Sequence, residues 1–108
     1  GTRCAGIVAA SLALADAGFP MKDLVCAIAL GRIEDQIVVD VDKSEEDYEG
    51  GMCDMPVAFM PCSGEVTLLQ CDGFVEQKQL KEMLKLGLAA CEKIKMVQQK
   101  ALTERYQL

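Results

Sequence analysis

Histidine is absent from the 108-residue chain, and that single absence removes several chemistries together. Neither a Ser-His-Asp nor a Cys-His catalytic set can be assembled within it. The six cysteines, Cys4, Cys26, Cys53, Cys62, Cys71 and Cys91, contain no Cys-x-x-Cys pair, so the usual structural zinc patterns are missing as well. Four of them sit among apolar neighbours in stretches that read as helix or strand interior. Core thiols are therefore expected rather than a disulfide framework. Proline is scarce, at three residues, while 51% of the chain is apolar and 26% charged, a balance that excludes intrinsic disorder and low-complexity linker behaviour. Asp16, Lys22, Asp23 and Arg32 interrupt the most apolar stretch. No run reaches the roughly 18 to 20 residues of a membrane span. The helix-like start ends in Asp16 and Gly18 rather than at a small-residue cleavage site, so nothing marks export, and a cytoplasmic protein without membrane contact is expected.

What is present is enough for one compact domain, residues 1–108, and too little for two separate cores. The net charge of −6 argues against simple electrostatic wrapping of nucleic acid. Its distribution is more telling than its sum. Residues 34–54 hold nine acids (Glu34, Asp35, Asp40, Asp42, Glu45, Glu46, Asp47, Glu49 and Asp54) against one base, Lys43, whereas the remainder has eight acids and ten bases. An acidic segment is thus set into a nearly neutral chain.

Residues 4–17 are rich in alanine and leucine and stop at Gly18, which reads as a helix with Thr2 as its N-cap. Its small residues predict close packing against a sheet on more than one side. Leu24–Ile33 and Gln36–Asp40, separated by Glu34-Asp35, read as paired strands. Pro56–Met60 and Glu65–Cys71 flank the turn Pro61-Cys62-Ser63-Gly64 and read as a second hairpin, with Pro56 at a strand start. From Val75 to Arg105, Leu80, Leu84, Leu88, Cys91, Ile94 and Leu102 recur near helical spacing, giving one long helix or two. Lys78, Lys81, Lys85, Lys93 and Lys100 are expected on its solvated face. The order predicts an α+β domain with helices over a largely antiparallel sheet.

Two regions can carry chemistry. Gly1-Thr2-Arg3 precedes the first helix, where free N–H groups, the positive dipole end and a guanidinium suit a phosphate; the plainer alternative is a capping threonine beside a solvated arginine. In the acidic segment Asp40, Asp42 and Ser44 match the first ligands of a calcium loop, but Glu45 occupies its glycine position and Gly51 its terminal glutamate position. The pattern fails there. The clustered carboxylates remain suited to holding magnesium through a few oxygens and water, or to raising a neighbour's pKa for proton donation.

The runs Gly1-Thr2-Arg3-Cys4-Ala5-Gly6-Ile7 and Ala13–Leu24, followed by Glu45-Glu46-Asp47-Tyr48, Asp54-Met55-Pro56-Val57-Ala58 and Val66-Thr67-Leu68-Leu69-Gln70, resemble the second half of the RNase PH-like subunits of the exosome. The likeness runs from Gly1 to about Tyr106 and is strongest to the archaeal catalytic ring subunit. Polynucleotide phosphorylase is a more distant match, having lysine where this chain has Pro56. The resemblance implies a 3′-to-5′ phosphorolytic exoribonuclease that consumes inorganic phosphate and releases nucleoside diphosphates. It places the attacking phosphate on Gly1, Thr2 and Arg3, and the catalytic pair on Asp47 and Asp54. One of the pair protonates the leaving 3′ oxygen, or both hold Mg2+.

The resemblance also implies a six-membered ring alternating with an inactive RNase PH-like ring subunit, exosome cap proteins, and a single-stranded RNA 3′ end as substrate. Against the family pattern, this chain has six residues rather than five between Asp47 and Asp54, which the Gly50-Gly51 pair is expected to absorb. If it does not, a non-catalytic ring scaffold is the alternative. The related first half, with its RNA-gripping arginines, is expected to lie outside this chain.

Overall fold

The computed structural model describes residues 2–33, 36–39 and 52–106, with Met52 described for its backbone alone. Helix α1 spans Thr2–Asp16, followed by strands β1 (Cys26–Ile33), β2 (Gln36–Val39), β3 (Met52–Met60), β4 (Glu65–Leu69) and β5 (Asp72–Gly73), and by helix α2 (Gln77–Tyr106). All pairings are antiparallel, in the order β2-β1-β3-β4, and β5 also pairs with β3. The expected α+β architecture and both hairpins are present. Among the described residues no helix is long and apolar enough to cross a membrane.

Strand alternation divides the core into two faces. Cys26, Ile28 and Leu30 of β1, with Cys53, Met55, Val57 and Phe59 of β3, form the main cluster with Met83 and Cys91 of α2. The opposite face is built from smaller residues: Ala27, Ala29 and Ala58 pack against Cys4 of α1. Gly87 lets α2 approach the main face closely, since a Cβ there would lie 2.8 Å from Leu30 Cδ1 and 3.2 Å from Phe59 Cε2. The periodic segment at the end of the chain is one 30-residue helix, not two.

Helix α1 stops as its sequence requires. Gly18 adopts φ 86°, and the Gly18 and Phe19 N–H groups donate to the Ala15 and Leu14 carbonyls at 3.1 and 3.2 Å. This is the left-handed closure that glycine permits without a Cβ penalty. Thr2 is the first helical residue rather than a cap. The expectation that α1 is enclosed on several sides is overturned: only Cys4 and Ser11 are buried, and Leu14 is 46% exposed. Alanine is as compatible with an exposed helix face as with a packed one, so its abundance could not locate the contact side.

Pro56 also departs from expectation, standing mid-strand opposite Ala29 rather than at a strand start. Its carbonyl accepts the Gln70 N–H at 3.1 Å, so the proline nitrogen faces the same edge of β3. Gln70-Cys71 lies between β4 and β5, and the missing donor falls opposite this break in the neighbouring strand. Proline is tolerated where no ladder bond is lost.

Candidate active site

The small-residue face carries the site. Asp54 lies in β3 opposite Gly31 of β1 and Asp72 of β5, and it alternates onto the same face as Pro56 and Ala58. Gly31 contributes no side chain beside it. Asp54 is half-buried, whereas Asp72 is exposed. Like charges directly opposite in an antiparallel pair are unfavourable.

Helix α1 crosses this face with its amino end directed toward Asp54. Ser11 Oγ accepts the Val25 N–H at 2.8 Å at the start of β1, while Cys4, further back in the helix, packs on Ala27, Ala29 and Ala58. From the first turn, Arg3 Nη1 donates to Gln70 Oε1 at 2.8 Å. Gln70 is bonded to Pro56, which lies two residues from Asp54, about 6 to 7 Å along the strand. The structure therefore brings Thr2 and Arg3 to the same face and the same region as Asp54. Both α1 residues are exposed, as an anion site requires, and the helix N-terminus supplies free N–H groups there.

Gly1 and Asp47 lie outside the described residues, as does the Gly50-Gly51 pair. Among the described residues no group of three or more His, Cys, Asp or Glu side chains gathers as a metal cage. Magnesium commonly takes only one or two carboxylates and completes its shell with water and substrate phosphate, so Asp54 suits a shared ion and does not by itself form a closed site.

Sequence reasoning missed Gln70 and Asp72 as site neighbours. Their positions follow from the register of an interrupted edge strand, which no local pattern specifies. Lys78, Lys81 and Lys85 are exposed as expected. They line a groove of about 680 Å3 over Phe59, Val66, Leu84 and Leu88, on the α2 side of the sheet and away from Asp54. Cys4, Cys26, Cys53 and Cys91 are buried, while Cys62 and Cys71 are exposed, in agreement with four core positions.

Residues 23–90 match the 3′ exoribonuclease family, domain 2. Over 106 residues, 98% of this chain, the sequence is 50% identical to the exosome complex component Rrp41 of Pyrococcus abyssi and 49% identical to that of Pyrococcus furiosus, covering 42% of each relative. The corresponding component of Nitrosopumilus maritimus is 43% identical over the same share of this chain, with 43% of its own length covered. The chain belongs to the 3′ exoribonuclease family, in its RNase PH-like branch. It spans less than half the length of these relatives.

Proposed function

We propose that this chain forms the second half of a phosphorolytic 3′-to-5′ exoribonuclease subunit of an exosome. The observation that carries the reading is the convergence of the amino end of α1, bearing Thr2 and Arg3, with Asp54 on one face of the sheet. An anion site beside a carboxylate is what phosphorolysis needs. Gly1, Thr2 and Arg3 hold inorganic phosphate, with the guanidinium orienting its oxygens and offsetting its charge. One phosphate oxygen bonds to the phosphorus of the last RNA linkage as the bond to the preceding 3′ oxygen breaks. The products are a nucleoside diphosphate and an RNA one nucleotide shorter.

The departing 3′ oxygen needs a proton or a cation. Asp47 and Asp54 are assigned to that task, either by proton donation or by holding Mg2+. Bound magnesium supplies Lewis-acid stabilisation of charge on the scissile phosphate. The same reading takes a single-stranded RNA 3′ end as substrate, an inactive RNase PH-like ring subunit and exosome cap proteins as partners, a hexameric ring as the assembly, and the cytoplasm as location.

The test uses the full-length subunit assembled with its ring partner, poly(A), magnesium and phosphate. Phosphate-dependent release of ADP is expected, with a loss of at least about a hundredfold in Asp54→Asn and in Asp47→Asn, the scale of a lost general acid. No diphosphate release, or full activity in both variants, overturns the reading. The additional residue between Asp47 and Asp54 favours a second reading, a ring scaffold that binds RNA without turning it over. RNA retention by the assembled ring with no phosphate-dependent turnover selects it.

A further inference from the structure

The Cys53 and Cys71 sulfurs lie 3.2 Å apart, although both thiols are free. Cys53 is fully buried in β3, and Cys71 is exposed in the break between β4 and β5. Each cysteine is followed in sequence by one of the two facing carboxylates, Asp54 and Asp72, which are register partners. The thiol pair is therefore built into the backbone that carries the candidate site.

We propose that Cys53 and Cys71 close into a reversible disulfide when a peroxide reaches Cys71, and that this cross-link beside Asp54 slows RNA turnover. The deprotonated Cys71 sulfur attacks one peroxide oxygen, the O–O bond breaks, and the departing hydroxide recovers a proton as water. Cys71 is left as a sulfenic acid. The Cys53 sulfur then attacks the Cys71 sulfur, the S–O bond breaks, and the leaving hydroxide takes the Cys53 proton as a second water. Two thiols and one peroxide become one disulfide and two waters, with two electrons passing from sulfur to oxygen.

The order of events follows from exposure. Cys53 is fully buried and Cys71 is exposed, so peroxide meets Cys71 first and Cys53 serves as the resolving partner. Cys62, the other exposed thiol, instead accepts a hydrogen bond from the Lys95 ammonium. Closing the sulfurs from 3.2 Å to a bond of about 2.05 Å draws the two backbones together next to Asp54 and Asp72. Displacements of about 1 Å in a positioned site can cost a hundredfold in rate.

The cross-link stands on thiol geometry, and only its effect on turnover rests on the phosphorolytic reading. The full-length subunit, assembled with its exosome partners, is treated with stoichiometric hydrogen peroxide, its free thiols are alkylated, and its peptides are mapped by mass spectrometry. A peptide joining Cys53 to Cys71 is expected in the wild type, absent from Cys71→Ser, and dissolved by dithiothreitol. Poly(A) phosphorolysis should fall at least about tenfold with that bond and return on reduction, while Cys71→Ser keeps its activity under peroxide.

Oxidation that stops at a Cys71 sulfinic acid, or that spares the pair, overturns the cross-link. A formed bond with undiminished turnover overturns its regulatory effect. If the reduced wild-type assembly shows no phosphorolysis, the functional reading fails, while the peptide map still decides the disulfide.

Discussion

Arg3 at the start of α1 reaches Gln70 beyond the end of β4, its Nη1 lying 2.8 Å from Gln70 Oε1. This contact joins the first turn of a helix to the edge of the sheet, and the Gln70 N–H is itself fixed on the Pro56 carbonyl. A long, exposed arginine side chain is thereby given one preferred direction. The geometry makes Gln70 a positioning residue for the Arg3 guanidinium.

Under the phosphorolytic reading, Arg3→Ala should raise the KM for phosphate and lower kcat, because the guanidinium acts on the attacking group in both ground and transition states. Gln70→Ala should produce a smaller rise in phosphate KM, on the order of severalfold, as expected for loss of an exposed hydrogen bond of about 1 kcal/mol. The RNA KM should move little. Initial-rate kinetics of the assembled full-length subunit at varied phosphate would check both. A Gln70→Ala effect confined to the RNA KM would remove Gln70 from phosphate positioning.

A different polar contact holds α2 against the rest of the fold. Lys95 Nζ lies 2.7 Å from Asp23 Oδ1, with only 8% of the Asp23 side chain exposed. Asp23 also accepts the Leu24 and Cys62 N–H groups, each at 2.8 Å. Burial pushes the Asp23 carboxyl up, but the bonds from Lys95, Cys62 and Leu24 outweigh it and hold the group below its ordinary value. The stabilisation is therefore present above the unfolded carboxyl value near 4 and is lost as pH falls through the lower folded value.

Asp23→Asn should cost about 1 to 3 kcal/mol at neutral pH, the range for hydrogen bonds to a charged group. Its deficit relative to wild type should narrow below about pH 4. Urea unfolding of the full-length protein from pH 3 to pH 7 measures the difference. A deficit that stays constant across that range would show that the carboxylate charge contributes nothing to the contact.

Much of the fold was legible because its strands and second helix carry strong local signals. The apolar run ending at Ile33, the Pro61–Gly64 turn and the spacing of Leu80, Leu84, Leu88 and Cys91 each specify an element without help from the rest of the chain. Pro56 was misplaced because proline usually marks a strand boundary, and only tertiary register reveals that its nitrogen faces a gap. Asp54 was identified by resemblance, and the strand alternation puts it on the α1 face. Gln70, Asp72 and the proximity of Cys71 to Cys53 were hidden for a common reason: all depend on how the edge of β3 is paired after β4 breaks.

The close approach of α2 to Leu30 of β1 and Phe59 of β3 makes Gly87 a sensitive position. Replacing a mid-helix glycine by alanine ordinarily gains about 1 kcal/mol, yet here the added methyl would stand 2.8 Å from Leu30 Cδ1, and Leu30 is fully buried. Overpacking of this kind costs about 1 to 3 kcal/mol. Gly87→Ala is expected to lower the thermal midpoint despite its better helix propensity, and Gly87→Leu to lower it further. A raised midpoint for Gly87→Ala would show that Leu30 and Phe59 yield at little cost.

The second helix also buries a neutral amide, Gln98, which is 2% exposed. Its Nε2 donates to the Val8 and Val25 carbonyls at 3.2 and 3.4 Å, joining α2, α1 and the entry to β1, while Oε1 has no hydrogen-bond partner among the described residues. In Gln98→Glu an ionised carboxylate would face those two carbonyls with no proton to offer. Desolvation and the facing dipoles raise its folded pKa, so the variant should be destabilised by about 3 kcal/mol or more at pH 7, as for an unpaired buried charge. Protonation restores a donor to one carbonyl, and the deficit should shrink as pH falls toward the ordinary glutamate value near 4.3. Unfolding measured at pH 4.5 and pH 7 would test this sign, and equal destabilisation at both would mean that water reaches the carboxylate.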